Sequence, residues 1–280
     1  MLSVAIPDSS LADESTLREK SIKAARIARV LAIFGVESVL IYRDTSADYS
    51  KDGMLLRLIL EFMDTPQYLR KILYGRMREL RYAGLFPPLK APHHKPYVRM
   101  DEVKVDDVRQ GVVVGRRMRD GYYVDVGLDE PVLLEHADKV KVGERVSVIF
   151  TSPYPDLRCR LARKGEIKGY WGYHVRYAGT ASDLLKGLSS KKGDGKSLAI
   201  ITSKLGRPVR EIEQDIAMAR DTMLIFGSPY KDVYEIAANV KIDMPTYNFF
   251  PMQKVESVRL EEAMLGCLAV VNYIKSKSRT

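Results

Sequence analysis

What constrains this chain most is a break of rhythm at residues 86–97, FPPLKAPHHKPY, where four prolines in twelve residues preclude regular structure. Before the break the pattern is strand, helix, strand. Residues 2–6 (LSVAI) read as a buried strand. Thr16-Leu17-Arg18-Glu19 has capping-box spacing, and Ile22, Ile27, Val30, Leu31 and Phe34 recur at helical intervals until Gly35 stops the helix. Residues 38–42 (SVLIY) are the next strand, so this is a βαβ unit and implies a parallel sheet. Gly53 then closes a polar loop, residues 54–63 read as a helix, and Thr65-Pro66 caps another that the pattern carries to about Ala83. Its Arg70, Lys71, Arg76, Arg78 and Arg81 read equally as a solvated face or as an RNA contact.

After the break the runs 111–118, 121–127, 131–135, 145–150 and 157–164 are short, alternating and rich in Val and Tyr, with Gly, Asp and Pro between them. Five such strands have the size and spacing of an OB-type barrel. The clearest hairpin turns at Asp120-Gly121 and brings together Arg116, Arg117, Arg119, Tyr122 and Tyr123, which suits phosphate contact and base stacking. The alternative is that the two tyrosines pack the barrel.

From residue 169 the α/β pattern resumes. Residues 169–177 (GYWGYHVRY) lead back from the barrel, with aromatics suited to anchoring, and are followed by a helix at 181–188, a strand at 197–202, a helix at 208–219 and a strand at 223–226. The barrel, residues 96–167, is therefore expected as an insertion in an α/β domain made of 1–95 and 168–280. The segment KKGDGKS at 191–197 is not a phosphate loop, because Ser190 stands where that pattern needs Gly and a strand follows it.

Composition narrows the ligand. Lys and Arg number 45 against 36 Asp and Glu, a net charge of +9, which favours a phosphate-rich partner over a neutral one, although an interspersed charged surface is the alternative. The four histidines show no ligand spacing with Cys159 or Cys267, so no metal is expected, and the two cysteines sit in apolar surroundings that suit buried thiols in a reducing compartment. The longest uncharged apolar run, 263–271, is too short for a bilayer, and the expectation is a soluble cytoplasmic protein with no membrane partner. Two loops stand out as a ligand rim. One is Gly227-Ser228-Pro229, after the strand at 223–226; the other is 248–254, which leads into a helix starting near Arg259 that carries Glu261 and Glu262.

Three segments carry a family resemblance: ARIARVLAIFGV at 25–36, LIFGSPYKDV at 224–233 and NFFPMQKVESVRLEEA at 248–263. Together with MDTPQYLR at 63–70, LFPPLKAPHH at 85–94 and YWGYHVR at 170–176, the chain resembles, over nearly its whole length, the SPOUT RNA methyltransferases of the archaeal and eukaryotic subfamily with an inserted OB-like barrel. The resemblance implies an α/β fold with a parallel sheet and a C-terminal trefoil knot, S-adenosylmethionine held by the knotted loops, a homodimer with active sites near the subunit interface, and uridine N3 of large-subunit ribosomal RNA as target. It places Thr202 and Ser203 at the end of the strand entering the knot. Leu224, Phe226, Gly227 and Ser228 then meet the cofactor from the second loop, and Phe250, Pro251, Met252, Gln253, Val255 and Val258 from the third. Arg29 orients the base or stabilises its charge, and Glu261 or Glu262 accepts the N3 proton. For these three the plainer readings are a snorkelling arginine and a favourable pairing of acids with a helix dipole. Ser228-Pro229 and Arg259 stand where the ribose methyltransferases of the class have Asn-Glu and Asn, which favours a base over a ribose 2′-O target. An RNA-binding assembly factor with little activity, and another methylated atom, remain the alternatives.

Overall fold

The computed structural model describes residues 1–117, 121–136, 140–163, 165–189, 197–237 and 244–277. In chain order the elements are β1 (Leu2–Pro7), α1 (Leu17–Ile33), β2 (Ser38–Arg43), α2 (Ser50–Asp64) and α3 (Gln67–Tyr74). Five strands follow: β3 (Val108–Arg117), β4 (Gly121–Asp125), β5 (Val132–Glu135), β6 (Arg145–Ser152) and β7 (Arg158–Leu161). Then come β8 (His174–Thr180), α4 (Ala181–Ser189), β9 (Ser197–Pro208), α5 (Glu213–Met218), β10 (Asp221–Ile225), α6 (Val233–Ile236), β11 (Thr246–Asn248) and α7 (Leu260–Lys277).

The chain forms two compact units. One holds Met1–Met63, Glu79–Leu89 and Gly172–Thr280; the other holds Asp64–Arg78 and Lys90–Trp171. Among the described residues, the first contains a six-stranded sheet in the order β11-β9-β10-β1-β2-β8, with every neighbouring pair parallel. β1 is central and runs Val4-Ala5-Ile6 with no exposure, the continuous apolar pattern of a strand covered on both faces. α1 starts as its spacing predicts, with Thr16 Oγ1 accepting from Glu19 N–H and the Glu19 carboxylate accepting from Thr16 N–H. It buries Ala24, Ala25, Ile27, Ala28 and Leu31.

The second unit is built on a closed barrel in the order β3-β4-β5-β7-β6, in which only the β5–β7 pair is parallel among the described strands. Val113, Val124, Val148, Phe150 and Cys159 fill it. α3 packs on this barrel: a Cβ on Gly127 would lie 2.5 Å from Tyr68 Cγ, and the Tyr68 hydroxyl donates to the Gln110 carbonyl at 2.7 Å. A polar network within this unit joins Asp64 and His93 to the barrel strand β6. The Asp64 carboxylate, 3% exposed, accepts from Arg145 Nη2 at 2.7 Å and lies 3.1 Å from His93 Nε2.

Several sequence expectations are corrected. Gly53 does not close a loop but lies inside α2, where a Cβ would come within 2.8 Å of Asp8 Cβ. The helix expected to reach Ala83 stops at Tyr74, because Gly75 turns to φ +53° and isolated 3-10 turns follow at Arg78–Leu80 and Ala83–Leu85. Its basic residues therefore do not share one helical face. Thr65 is not its cap: Pro66 occupies that position, and the Thr65 hydroxyl lies 3.1 Å from that of Tyr74. The strand expected at 197–202 continues to Pro208, and the expected helix at 208–219 is a 3-10 turn followed by the short α5. β11 causes this, pairing Tyr247 with Arg207 and Asn248 with Pro208. Residues 174–180, read only as a return segment, are an edge strand parallel to β2. Asp120 of the expected hairpin turn and residues 191–196 of the lysine-rich loop lie outside the described residues.

Candidate active site

Parallel strands leave their carboxyl ends on one edge of the sheet, where loops must turn back and ligands gather. Here the loops after β10 and β11 and the outward half of β9 enclose a cavity of about 410 Å³, closed on one side by Leu260, Ala263 and Cys267 of α7. That volume lies within the roughly 300–1,000 Å³ of small-molecule sites.

The first wall is Thr202 to Leu205 of β9. The Thr202 hydroxyl donates to the Ile225 carbonyl at 3.1 Å, tying this wall to the end of β10. The second wall is the loop from Phe226 to Asp232. Its shape comes from Ser228, whose hydroxyl accepts from the N–H groups of Lys231 at 2.9 Å and Tyr230 at 3.3 Å, while its own N–H donates to the Lys231 carbonyl at 2.8 Å. Gly227 is required by this loop: a Cβ there would collide with the Lys231 carbonyl oxygen and sit 2.9 Å from Asp232 Cα. The absent side chain thus accommodates the loop's own backbone. Asp232 then caps the short α6.

Asn248 shapes the third wall. Its carboxamide oxygen accepts from Phe250 N–H at 2.8 Å and its Nδ2 donates to the Lys204 carbonyl at 3.0 Å, joining the first and third walls. Gln253 turns inward on its own loop, donating to the carbonyls of Val255 and Glu256 at 2.7 and 3.2 Å. The thiol of Cys267, at the back of the cavity, is pushed far above its usual range by burial and stays protonated.

Of the residues singled out in the sequence, Thr202, Ser203, Phe226, Gly227, Ser228, Phe250, Gln253 and Val258 line this cavity. Pro251, Met252 and Val255 line an adjoining shallow depression with Phe250, Gln253 and Val258. Leu224 is fully buried within β10, between Val4 and Ile200, and lines neither. Arg29 is exposed and its Nη1 donates to the Pro88 carbonyl at 2.7 Å. Glu261 and Glu262 are not among the lining residues. The Glu261 carboxylate is 8% exposed and lies 3.6 Å from Lys23 Nζ, itself 1% exposed and 2.5 Å from Asp13. Glu262 accepts from the Arg259 N–H at 3.1 Å, at the start of α7.

In the barrel, the half-buried Tyr122 packs against the core and stands opposite Arg116 in the β3–β4 ladder. Arg119 and the side chains of Arg116 and Arg117 lie outside the described residues.

Sequence reasoning missed Lys204, Tyr230, Lys231 and Asp232, although the Ser-x-x-Lys-Asp run after a strand carried a turn signal. It also missed the α7 wall, whose apolar residues leave no local sign of a pocket. Among the described residues no group of three or more His, Cys, Asp or Glu is placed to hold a metal ion, and no helix is long and apolar enough to cross a membrane.

Comparison with known proteins gives a consistent result. A family model described as "Putative RNA methyltransferase" matches residues 1–271. A 28S rRNA (uridine-N(3))-methyltransferase of Drosophila melanogaster is 29% identical over 308 aligned positions, covering 96% of this chain and 61% of that protein. Its counterpart in Homo sapiens is 29% identical, covering 96% of this chain and 77% of that protein. An uncharacterized protein of Halobacterium salinarum is 27% identical, covering 95% of this chain and 96% of its own length.

Proposed function

The chain belongs to this RNA methyltransferase family, and from that premise we propose that it transfers a methyl group from S-adenosylmethionine to N3 of a uridine in large-subunit ribosomal RNA. The observation that carries this reading is the cavity at the sheet's carboxyl edge. Eight of the twelve residues expected to meet the cofactor line it, although they come from three separate segments.

The residues present fit that molecule. Phe226, Phe250, Val258 and Ala263 offer an apolar slot for adenine, and the main chain at Gly227 and Ser228 offers polar groups for its edge. When bound, S-adenosylmethionine supplies an electrophilic methyl group. The protein's task is then mainly to hold two partners in line and to exclude water. In this reading Arg29 orients the uridine or stabilises charge on it, and Glu261 or Glu262 takes the N3 proton. Arg29 does not line its own chain's cavity, and in this reading the protein is a homodimer with active sites near the subunit interface.

The proposal includes the finer architecture as well. Residues 1–95 and 168–280 are the methyltransferase domain, with the strands around the cavity forming a trefoil knot. Residues 96–167 are an OB-like barrel that contacts RNA through Arg116, Arg117, Arg119 and Tyr122. The two buried free thiols, Cys159 and Cys267, suit the cytoplasm.

The test is incubation of the protein with large-subunit ribosomal RNA and isotopically labelled S-adenosylmethionine, followed by nucleoside mass spectrometry. Labelled 3-methyluridine is the expected product. Label confined to a 2′-O-methylated nucleoside or to another base refutes the target atom, and no label in any nucleoside, with no cofactor binding by calorimetry, refutes the enzyme.

A further inference from the structure

Resting on the reading that the cavity holds S-adenosylmethionine, we infer that Tyr42, which does not line it, is a positioning residue that presets the second loop for the cofactor. Tyr42 is fully buried at the end of β2, and its hydroxyl donates to the main-chain carbonyl of Phe226 at 2.5 Å. β1 separates β2 from β10 in the sheet, so this bond reaches past the central strand to the first residue of the loop.

The end of β10 is held from three directions. Tyr42 takes the Phe226 carbonyl, the Thr202 hydroxyl takes the preceding carbonyl of Ile225, and Phe226 N–H donates to the Ala5 carbonyl at 2.9 Å. A peptide unit is planar and trans, so fixing the Phe226 carbonyl fixes the direction of the Gly227 N–H, at a residue that lines the cavity. Glycine is the residue with most backbone freedom, and here its preceding peptide plane is the one under external control. The tyrosine is a dependable donor: burial, and then the carboxylates of Asp44, Asp8 and Asp232, hold its hydroxyl well above the usual range and keep it protonated.

Tyr42→Phe removes one oxygen and leaves the Phe226 carbonyl without this donor. Tyr173→Phe is the matched control, since Tyr173 is also buried and its hydroxyl donates to a main-chain carbonyl at 2.9 Å, but that carbonyl belongs to Leu60, which unlike Phe226 does not line the cavity. Calorimetric titration of the full chain with S-adenosylmethionine is expected to give a Kd about tenfold higher in Tyr42→Phe and within about twofold of wild type in Tyr173→Phe. An unchanged Kd in Tyr42→Phe, or an equal rise in both variants, overturns the inference and leaves the cofactor reading standing. No binding by the wild-type protein overturns that reading, and this inference with it. A second measurement does not depend on the variants folding: 3-fluorotyrosine is placed at position 42 alone, or at 173 alone. Saturation with S-adenosylmethionine should shift the fluorine resonance at 42 and not at 173, and an unmoved resonance at 42 also overturns the inference.

Discussion

The ring of Phe250 occupies the space that a side chain on Gly266 would need: a Cβ on that glycine would lie 2.5 Å from Phe250 Cε1, closer still to Cζ. The third wall of the cavity is thereby seated on α7, next to Ala263 and Cys267.

Gly266→Ala should therefore act on binding more than on stability. Alanine favours the helix by about 1 kcal/mol, while overpacking costs about 1–3 kcal/mol, so the net change in melting temperature is expected to be small. Displacement of the ring should raise the Kd for S-adenosylmethionine about tenfold. Unchanged affinity would mean that the ring's seat does not set the site.

At Gly227 the obstacle is main chain, the Lys231 carbonyl and Asp232 Cα, which cannot swing aside as a side-chain tip can. Gly227→Ala should rebuild the whole second loop. The expected result is loss of measurable S-adenosylmethionine binding with the sheet intact, read by calorimetry beside far-ultraviolet circular dichroism.

Arg29→Ala tests the division of labour between cofactor and target. Turnover on ribosomal RNA is expected to fall by at least about tenfold, with cofactor Kd within about twofold of wild type, because Arg29 is outside the cavity. A large loss of cofactor affinity instead would assign Arg29 to the cofactor site.

His94 gives the second unit a pH dependence. Burial, and then the neighbouring His93, depress its pKa to about 4, although its Nε2 lies 3.0 Å from the Asp64 carbonyl. An unfolded histidine titrates near 6.5, so between about 6.5 and 4 the unfolded chain binds a proton that the folded one refuses. The stability involved is complete above that window and is lost as pH falls through it. Urea denaturation at pH 7 and pH 5 should show a smaller acid-induced loss for His94→Gln than for wild type; equal losses would remove His94 from the account.

Much of the frame was legible in the sequence because it depends on local rules. Alternation and helical spacing located β1, α1, β2 and the barrel strands, and Thr16 and Glu19 announced their reciprocal cap. The same rules placed the loop after β10 at a strand end, and hence at the rim of a site. They misplaced the ends of α3 and β9, where Gly75 and pairing with β11 override propensity.

Only the tertiary structure decided which face meets which. Periodicity tells that Glu261 and Lys23 lie on helices, but not that one buries its charge beside the other. Tyr42 and Phe226 are 184 residues apart, and no local pattern records that one holds the other's carbonyl. Gly266 likewise reads as a weak point in a helix until Phe250 is seen to fill it. The sequence by itself determined most of the elements, since these depend on residue type and near-neighbour spacing, and its motifs carried the resemblance to a family of RNA methyltransferases. The shape of the cavity depends on contacts between distant segments, which exist only once the chain has folded.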